Sequence, residues 1–145
     1  PLKTKISITI DEDLLKELKN AKDIKGFLDS HENEFLKETP VSFLNYIIET
    51  KKLTVAKVAA ASGAGEYVYK VFNNTRKPPR NILIAIALGM GISLEEAQLL
   101  LRISKLAILD SRDKRDSVII YGLVNHLSVF EVDDLLSQNE FITIN

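Results

Sequence analysis

Seven cations, Lys51, Lys52, Lys57, Lys70, Arg76, Lys77 and Arg80, fall within thirty residues that contain one acid, Glu66. Guanidinium and ammonium groups gathered in this way pair with phosphate, and neutralising a nucleic-acid backbone releases its condensed counterions. The window 51–80 carries +6, against −3 for residues 1–50 and −4 for residues 81–145, while the whole chain stands at −1. Positive charge is therefore confined to one stretch, the electrostatic footprint of a phosphate-binding face. Lys51, Lys52, Lys57, Arg76, Lys77 and Arg80 are the candidates for phosphate contact, which positions a protein on a duplex without reading its sequence. Reading falls to Glu66, Tyr67, Tyr69 and Lys70. A glutamate accepts from cytosine N4, and an aromatic ring packs on a thymine methyl. Exposed tyrosines equally suit a protein interface.

Other chemistries find little to work with. The absence of cysteine removes disulfides and thiolate metal sites and fits a reducing cytoplasm, the expected compartment. His31 and His126 lie in different segments, neither beside a second histidine at ligand spacing, so both are expected to be surface or capping residues and no metal site is assigned. The acid pairs Glu95-Glu96 and Asp133-Asp134 sit at helix starts, where the helix dipole favours them. No glycine-rich phosphate loop follows a strand. Neither a catalytic residue nor a cofactor is expected. The longest apolar run, Ile82–Ile92, is eleven residues and too short to span a membrane. No basic-then-apolar leader opens the sequence.

The elements that position the basic window follow from periodicity and capping. Thr39-Pro40 starts a helix with Phe43, Leu44, Ile47 and Ile48 inward. Thr54 caps the next, with Val55, Val58 and Ala59 inward, and Ala59-Ala60-Ala61 suits a close crossing of helices. Gly63 and Gly65 supply the freedom of a turn, and Glu66–Phe72 forms a third helix with Val68, Val71 and Phe72 inside. Asn81 starts a helix apolar on all sides, hence buried on all sides, which Gly89 or Gly91 stops. Ser93-Leu-Glu-Glu96 is a capping box for a fifth helix with Ala97, Leu100, Leu101 and Ile103 on one face.

This succession resembles the lambda-repressor-like helix-turn-helix family, the Cro and xenobiotic-response-element type regulators. The resemblance is carried by Leu53-Thr54, Val58-Ala59, Ser62-Gly63, Val71, Arg76-Lys77-Pro78 and Leu88-Gly-Met-Gly-Ile-Ser-Leu94. It implies a five-helix core over about residues 41–105, binding to double-stranded DNA as a homodimer, and transcriptional regulation. It also implies that helix 66–72 enters the major groove, with Arg76 and Lys77 beside the phosphate backbone. The sequence departs from the family at Val55, Gly65 and Glu66, where direct-readout side chains are usual, and the interval after Gly63 is one residue short. Those departures motivate an alternative, a helix-turn-helix used as a protein-interaction adaptor.

The flanks complete an all-α expectation in three segments: 1–38, 39–105 and 106–145. Lys5–Ile10 alternates as a short strand, and Asp11 caps a helix carrying Leu14, Leu15 and Leu18. Strand then helix also resembles the opening of a ribbon-helix-helix protein. Such a strand needs a partner, either its copy in a second subunit or Phe141–Ile144. Asp23 caps a short helix burying Ile24, Phe27 and Leu28, and Ser30 another burying Phe35 and Leu36. Ser111–Ser117 starts a sixth helix carrying Val118, Ile119, Tyr121, Leu123 and Val124, and Ser128-Val-Phe-Glu131 is a capping box for a seventh. This helical pair resembles the C-terminal extension of small bacterial regulators of the same type, and its apolar faces must cover either their own domain or a second subunit.

Overall fold

The computed structural model describes residues 12–35 and 39–145. The chain divides into two compact units, Pro1–Glu38 and Thr39–Asn145. Among the described residues every regular element is helical, and none of these helices is long and apolar enough to cross a membrane. The expected strand Lys5–Ile10 lies outside the described residues, as does Leu36. Phe141–Ile144, its candidate partner, forms no strand.

The first unit holds α1 (Glu12–Lys19), α2 (Ile24–Ser30) and a 3-10 turn over Glu32–Glu34. Asp23 caps α2 by accepting from the Gly26 N–H at 2.7 Å. Phe27 is buried, but Ile24 and Leu28, expected beside it, are exposed, because the short α2 turns one residue inward rather than a stripe. No helix begins at Ser30; that residue ends α2, and its hydroxyl turns back to the Gly26 carbonyl.

The second unit runs α3 (Pro40–Thr50), α4 (Val55–Ser62), α5 (Glu66–Phe72), α6 (Arg80–Met90), α7 (Leu94–Ile103), α8 (Lys114–Val124) and α9 (Val129–Gln138). Side-chain caps start α3, α4, α7, α8 and α9 from Thr39, Thr54, Ser93, Asp113 and Ser128. Satisfying the first-turn N–H groups in this way fixes where each helix begins. The ends share one device. Lys52, Asn74, Lys105, His126 and Glu140 take positive φ directly after a helix, and the next N–H reaches back five residues, as from Leu53 to Ile48 and from Leu127 to Gly122, both 2.9 Å. This is the Schellman closure, which satisfies the last carbonyls and turns the chain sharply.

Helix α6 is the centre. Leu83, Ile84, Ala85, Ile86, Ala87, Leu88 and Met90 are buried, as its all-round apolarity requires. It packs on α4, α7 and α9, while α3 packs on α5 and α7, and α8 joins α7 to α9. Gly91, not Gly89, ends it. Gly89 instead makes room for a neighbour, since a Cβ there would meet the Ser62 backbone nitrogen at 2.9 Å and the Ala61 carbonyl carbon at 3.2 Å. The α4 and α6 backbones therefore approach with no side chain between them, at the alanine run expected to allow it. The C-terminal pair closes over the same core, burying Ile119, Leu123, Val129, Val132 and Leu136. Tyr121 and Val124 are exposed, because Gly122 and Leu123 occupy the contact line of α8.

Gly89→Ala is expected to destabilise the protein by about 1–3 kcal/mol through overpacking, although alanine is the better helix former. Urea unfolding measures it; an unchanged or higher midpoint would show that the two backbones have room to part.

Candidate nucleic-acid interface

The basic window is built on α3, α4, α5 and the loop after α5. The Thr54 hydroxyl accepts from the Lys57 N–H at 3.2 Å, which sets Lys57 in the first turn of α4 with its side chain in solvent. Val58, Ala59 and Ser62 face inward. The buried Ser62 hydroxyl donates to the Ala59 carbonyl at 3.0 Å and accepts from the Ala64 N–H at 3.2 Å, which stitches the turn to the end of α4. Gly63 takes φ 72° and Gly65 takes φ 58° with ψ −131°. Both positions suit glycine, and the second is a conformation closed to residues with a Cβ.

Val68, Val71 and Phe72 anchor α5 in the core, leaving Glu66, Tyr69 and Lys70 exposed at i, i+3 and i+4 on one outer face. Tyr67 is only partly exposed, on the flank of that face. The loop beyond is fastened by Thr75, whose N–H and hydroxyl both donate to the Lys70 carbonyl, at 3.0 and 3.1 Å. A shallow cleft of about 300 Å³ lies here, lined by Pro40, Val41, Val71, Arg76, Lys77 and Pro78 among others. Lys51 and Lys52, at the end of α3, are exposed, as are Arg76 and Lys77. Among the described residues none of Lys51, Lys52, Lys57, Lys70, Arg76 and Lys77 forms an ion pair.

Arg80 departs from this group. Its Nη1 and Nη2 fork onto the Asp116 carboxylate at 3.1 and 3.0 Å, its Nε donates to the Ala107 carbonyl at 2.9 Å, and Nη2 also reaches the Ile108 carbonyl at 3.2 Å. Asp116 is buried and further accepts from the Asp110 N–H at 3.0 Å. A carboxylate withdrawn from water needs a countercharge, and a bidentate guanidinium is the strongest available. Arg80 is thus engaged in holding the 107–116 segment to the start of α6 and is not free for phosphate. Gln98 secures the same segment, donating to the Leu109 carbonyl and accepting from its N–H, both at 2.8 Å. At its outer edge, hydrogen bonds from the Arg112 side chain and backbone hold the Asp110 carboxyl below its ordinary range, and Asp110 in turn raises Arg112.

One brace of the site was not legible in sequence. The Asn145 side chain donates to the Ser62 carbonyl at 2.9 Å, at the very turn between α4 and α5. The tail is held there by Asp133, which accepts from the Ile144 and Asn145 N–H groups at 2.6 and 3.1 Å, and by Arg115, which donates to the Ile142 and Thr143 carbonyls. Phe130 lies beside Gly63 as well. Residues 106–145 therefore cover their own unit and buttress the turn. The only signal in the sequence was that Arg115 and Asp133 flank apolar positions, and helix surfaces carry many such residues. His126 closes α8 with φ 54°, in keeping with a capping role.

Asp116→Asn, which leaves the guanidinium without its countercharge, is expected to cost about 3 kcal/mol of stability. Denaturant unfolding that agrees with the parent to within about 0.5 kcal/mol, as for an ordinary surface site, would refute this role.

Compared with protein-family models, curated proteins and solved structures, the chain matches none.

Proposed function

We propose that residues 39–105 form a lambda-repressor-like helix-turn-helix domain, extended by the helical segment 106–145, which binds double-stranded DNA as a homodimer and regulates transcription. The observation that carries this reading is the set of six exposed cations without ion-pair partners among the described residues, Lys51, Lys52, Lys57, Lys70, Arg76 and Lys77, around α4, its turn and α5. Unpaired charge in water costs little, but against a phosphate backbone it releases counterions, so the arrangement gains most from a polyanion. In this mechanism α5 lies in the major groove. Tyr69 and Lys70 approach base edges, Glu66 selects a cytosine N4 amine, and Tyr67 contributes from the flank. Lys51, Lys52, Lys57, Arg76 and Lys77 fix the register on phosphate. Arg80 acts indirectly, by keeping α6 and the following segment in place.

Dimerisation would use the outer face of α8, where Tyr121 and Val124 are exposed one turn apart on a helix whose other face is already buried. Two subunits would then present their α5 helices to half-sites about one helical turn apart. The adaptor reading draws on the exposed Tyr69 beside Glu66, an aromatic and an acid on the face where base-reading side chains are usual.

Five phosphate contacts per subunit predict a log–log slope of affinity against salt of about −4 to −5 for each subunit. Arg76→Ala with Lys77→Ala is expected to weaken binding to every duplex and to flatten that slope by about 2. Tyr69→Ala should instead change which sequence is preferred. Selection from random duplex DNA separates the readings: an enriched palindrome supports the regulator, whereas no enrichment together with a stable protein partner supports the adaptor. Light scattering should give twice the chain mass, returning to one chain for Tyr121→Asp with Val124→Asp. A single-chain mass for the parent at micromolar concentration would remove the dimer.

A further inference from the structure

The end of α4 is built differently from the ends of its neighbours. After α3, α5, α6, α7, α8 and α9 a backbone N–H closes the helix on the carbonyl five residues back, as from Thr75 to Lys70 and from Ile92 to Ala87. After α4 the equivalent N–H, of Ala64, goes to the Ser62 hydroxyl at 3.2 Å, and that hydroxyl donates onward to the Ala59 carbonyl. A side chain thus stands in for the backbone closure. The Ser62 carbonyl, one of the last four that a helix leaves without an intrahelical partner, takes its donor from Asn145 at 2.9 Å. A carbonyl offers lone pairs only, so the Asn145 amide must present its N–H here.

Asn145 is itself held from two helices. Asp133 of α9 accepts from the Ile144 and Asn145 N–H groups at 2.6 and 3.1 Å. Arg115 of α8 donates to the Ile142 and Thr143 carbonyls at 2.8 and 3.3 Å, and to Oδ1 of Asn81, in the first turn of α6, at 3.1 Å. Apolar packing contributes through Ile144, which is buried, whereas Ile142 is 80% exposed. Segment 141–145 is therefore placed mainly by directed bonds, and these specify position more sharply than burial, which has no direction.

The turn that Asn145 touches leads straight into α5. Gly65, which precedes that helix, has no side chain to cap it. The anchors Val68, Val71 and Phe72 lie in its middle and end, so the direction of its first residues, Glu66 and Tyr67, depends on the turn. A Cβ at Gly63 would meet Nδ2 of Asn145 at 2.7 Å and Cε1 of Phe130 at 3.3 Å, so the turn lies flush against both side chains. We propose that Asn145 is a positioning residue for DNA reading: held by Asp133 and Arg115, it fixes the entry of α5 and thereby sets which bases Glu66 and Tyr67 meet. This rests on α5 being the recognition helix. In that reading phosphate is met by Lys51, Lys52, Lys57, Arg76 and Lys77, whose contacts carry affinity without sequence and survive the loss of Asn145.

The test measures the affinity of the full chain for the duplex it selects and for a scrambled duplex of equal length, with amide exchange followed in parallel. Asn145→Ala removes only the donor. Asp133→Ala releases the segment, and Asp134→Ala removes the same charge from the same helix with the segment still held. Asn145→Ala and Asp133→Ala are expected to lower affinity for the selected duplex about tenfold, the worth of one base contact, and to leave the salt slope unchanged. On the scrambled duplex each should bind as Asp134→Ala does, and Asp134→Ala should keep the parent's preference. In the first two variants exchange should quicken over residues 62–72, the end of α4 to the end of α5, and stay as in the parent over α6 and α7, which shows that they are folded. A parent that prefers its selected duplex, with the same preference in Asn145→Ala, overturns the positioning role and leaves the DNA reading standing. An equal loss on both duplexes overturns it too, since that marks general destabilisation. A parent that prefers no duplex removes the DNA reading and the proposal with it.

Discussion

The backbone contact between α4 and α6 at Gly89 is the constraint on which the second unit depends. With no side chain at Gly89, the Ala61–Ser62 backbone lies directly on α6. That contact sets the direction of α4, and through the stitched turn at Ser62 and Gly63 it sets α5 as well. The outer face formed by Glu66, Tyr69 and Lys70 is therefore aimed by a helix it does not touch in sequence. Burial of large side chains contributes most of the energy along α6, about 1.5–3 kcal/mol for each fully buried leucine or isoleucine. Packing of that kind tolerates small rotations. A backbone-to-backbone approach does not, because overlap rises steeply over a few tenths of an ångström.

Around that centre, polar side chains do the joining. Arg80 and Asp116 bind the start of α6 to the start of α8, Gln98 clamps the segment between α7 and α8, and Arg115 with Asp133 holds the tail against the turn. Each satisfies backbone groups that irregular segments would otherwise bury unpaired. The division among the cations follows from the same accounting. Arg80 meets a buried carboxylate and is drawn in, while Arg76 and Lys77, four and three residues earlier, meet none among the described residues and are exposed. Linear charge density treated these residues alike, since it carries no information about which acid a fold will deliver. His31 makes the converse point: Glu17 of α1 and Glu34 of the 3-10 turn are brought to opposite nitrogens of its ring.

Much of the architecture was legible in the sequence. Capping residues and hydrophobic period located α3 to α9, the turn at Gly63–Gly65, the all-round burial of α6 and the inward faces of α5 and α7, because these depend on neighbours within a few residues. Errors gathered where a short helix had more apolar residues than contacts to use them. Ile24 and Leu28 on α2 are exposed although their spacing allowed burial, and on α8 Tyr121 and Val124 fall outside the covered stripe. Which stripe of a helix is covered depends on what arrives opposite it, and on α8 the line was set by Gly122, whose missing side chain admits Val132.

The sequence by itself determined the helical character of the chain, the boundaries set by caps, and the confinement of positive charge to one window, since each is a local property of residue type and spacing. The tertiary structure alone decided which of those cations stay in water, which acid neutralises Arg80, what buttresses the turn, and which carboxylates surround His31. These are pairings across tens of residues. They exist only once the chain has closed on itself, because each depends on a buried or approaching partner that no local pattern specifies.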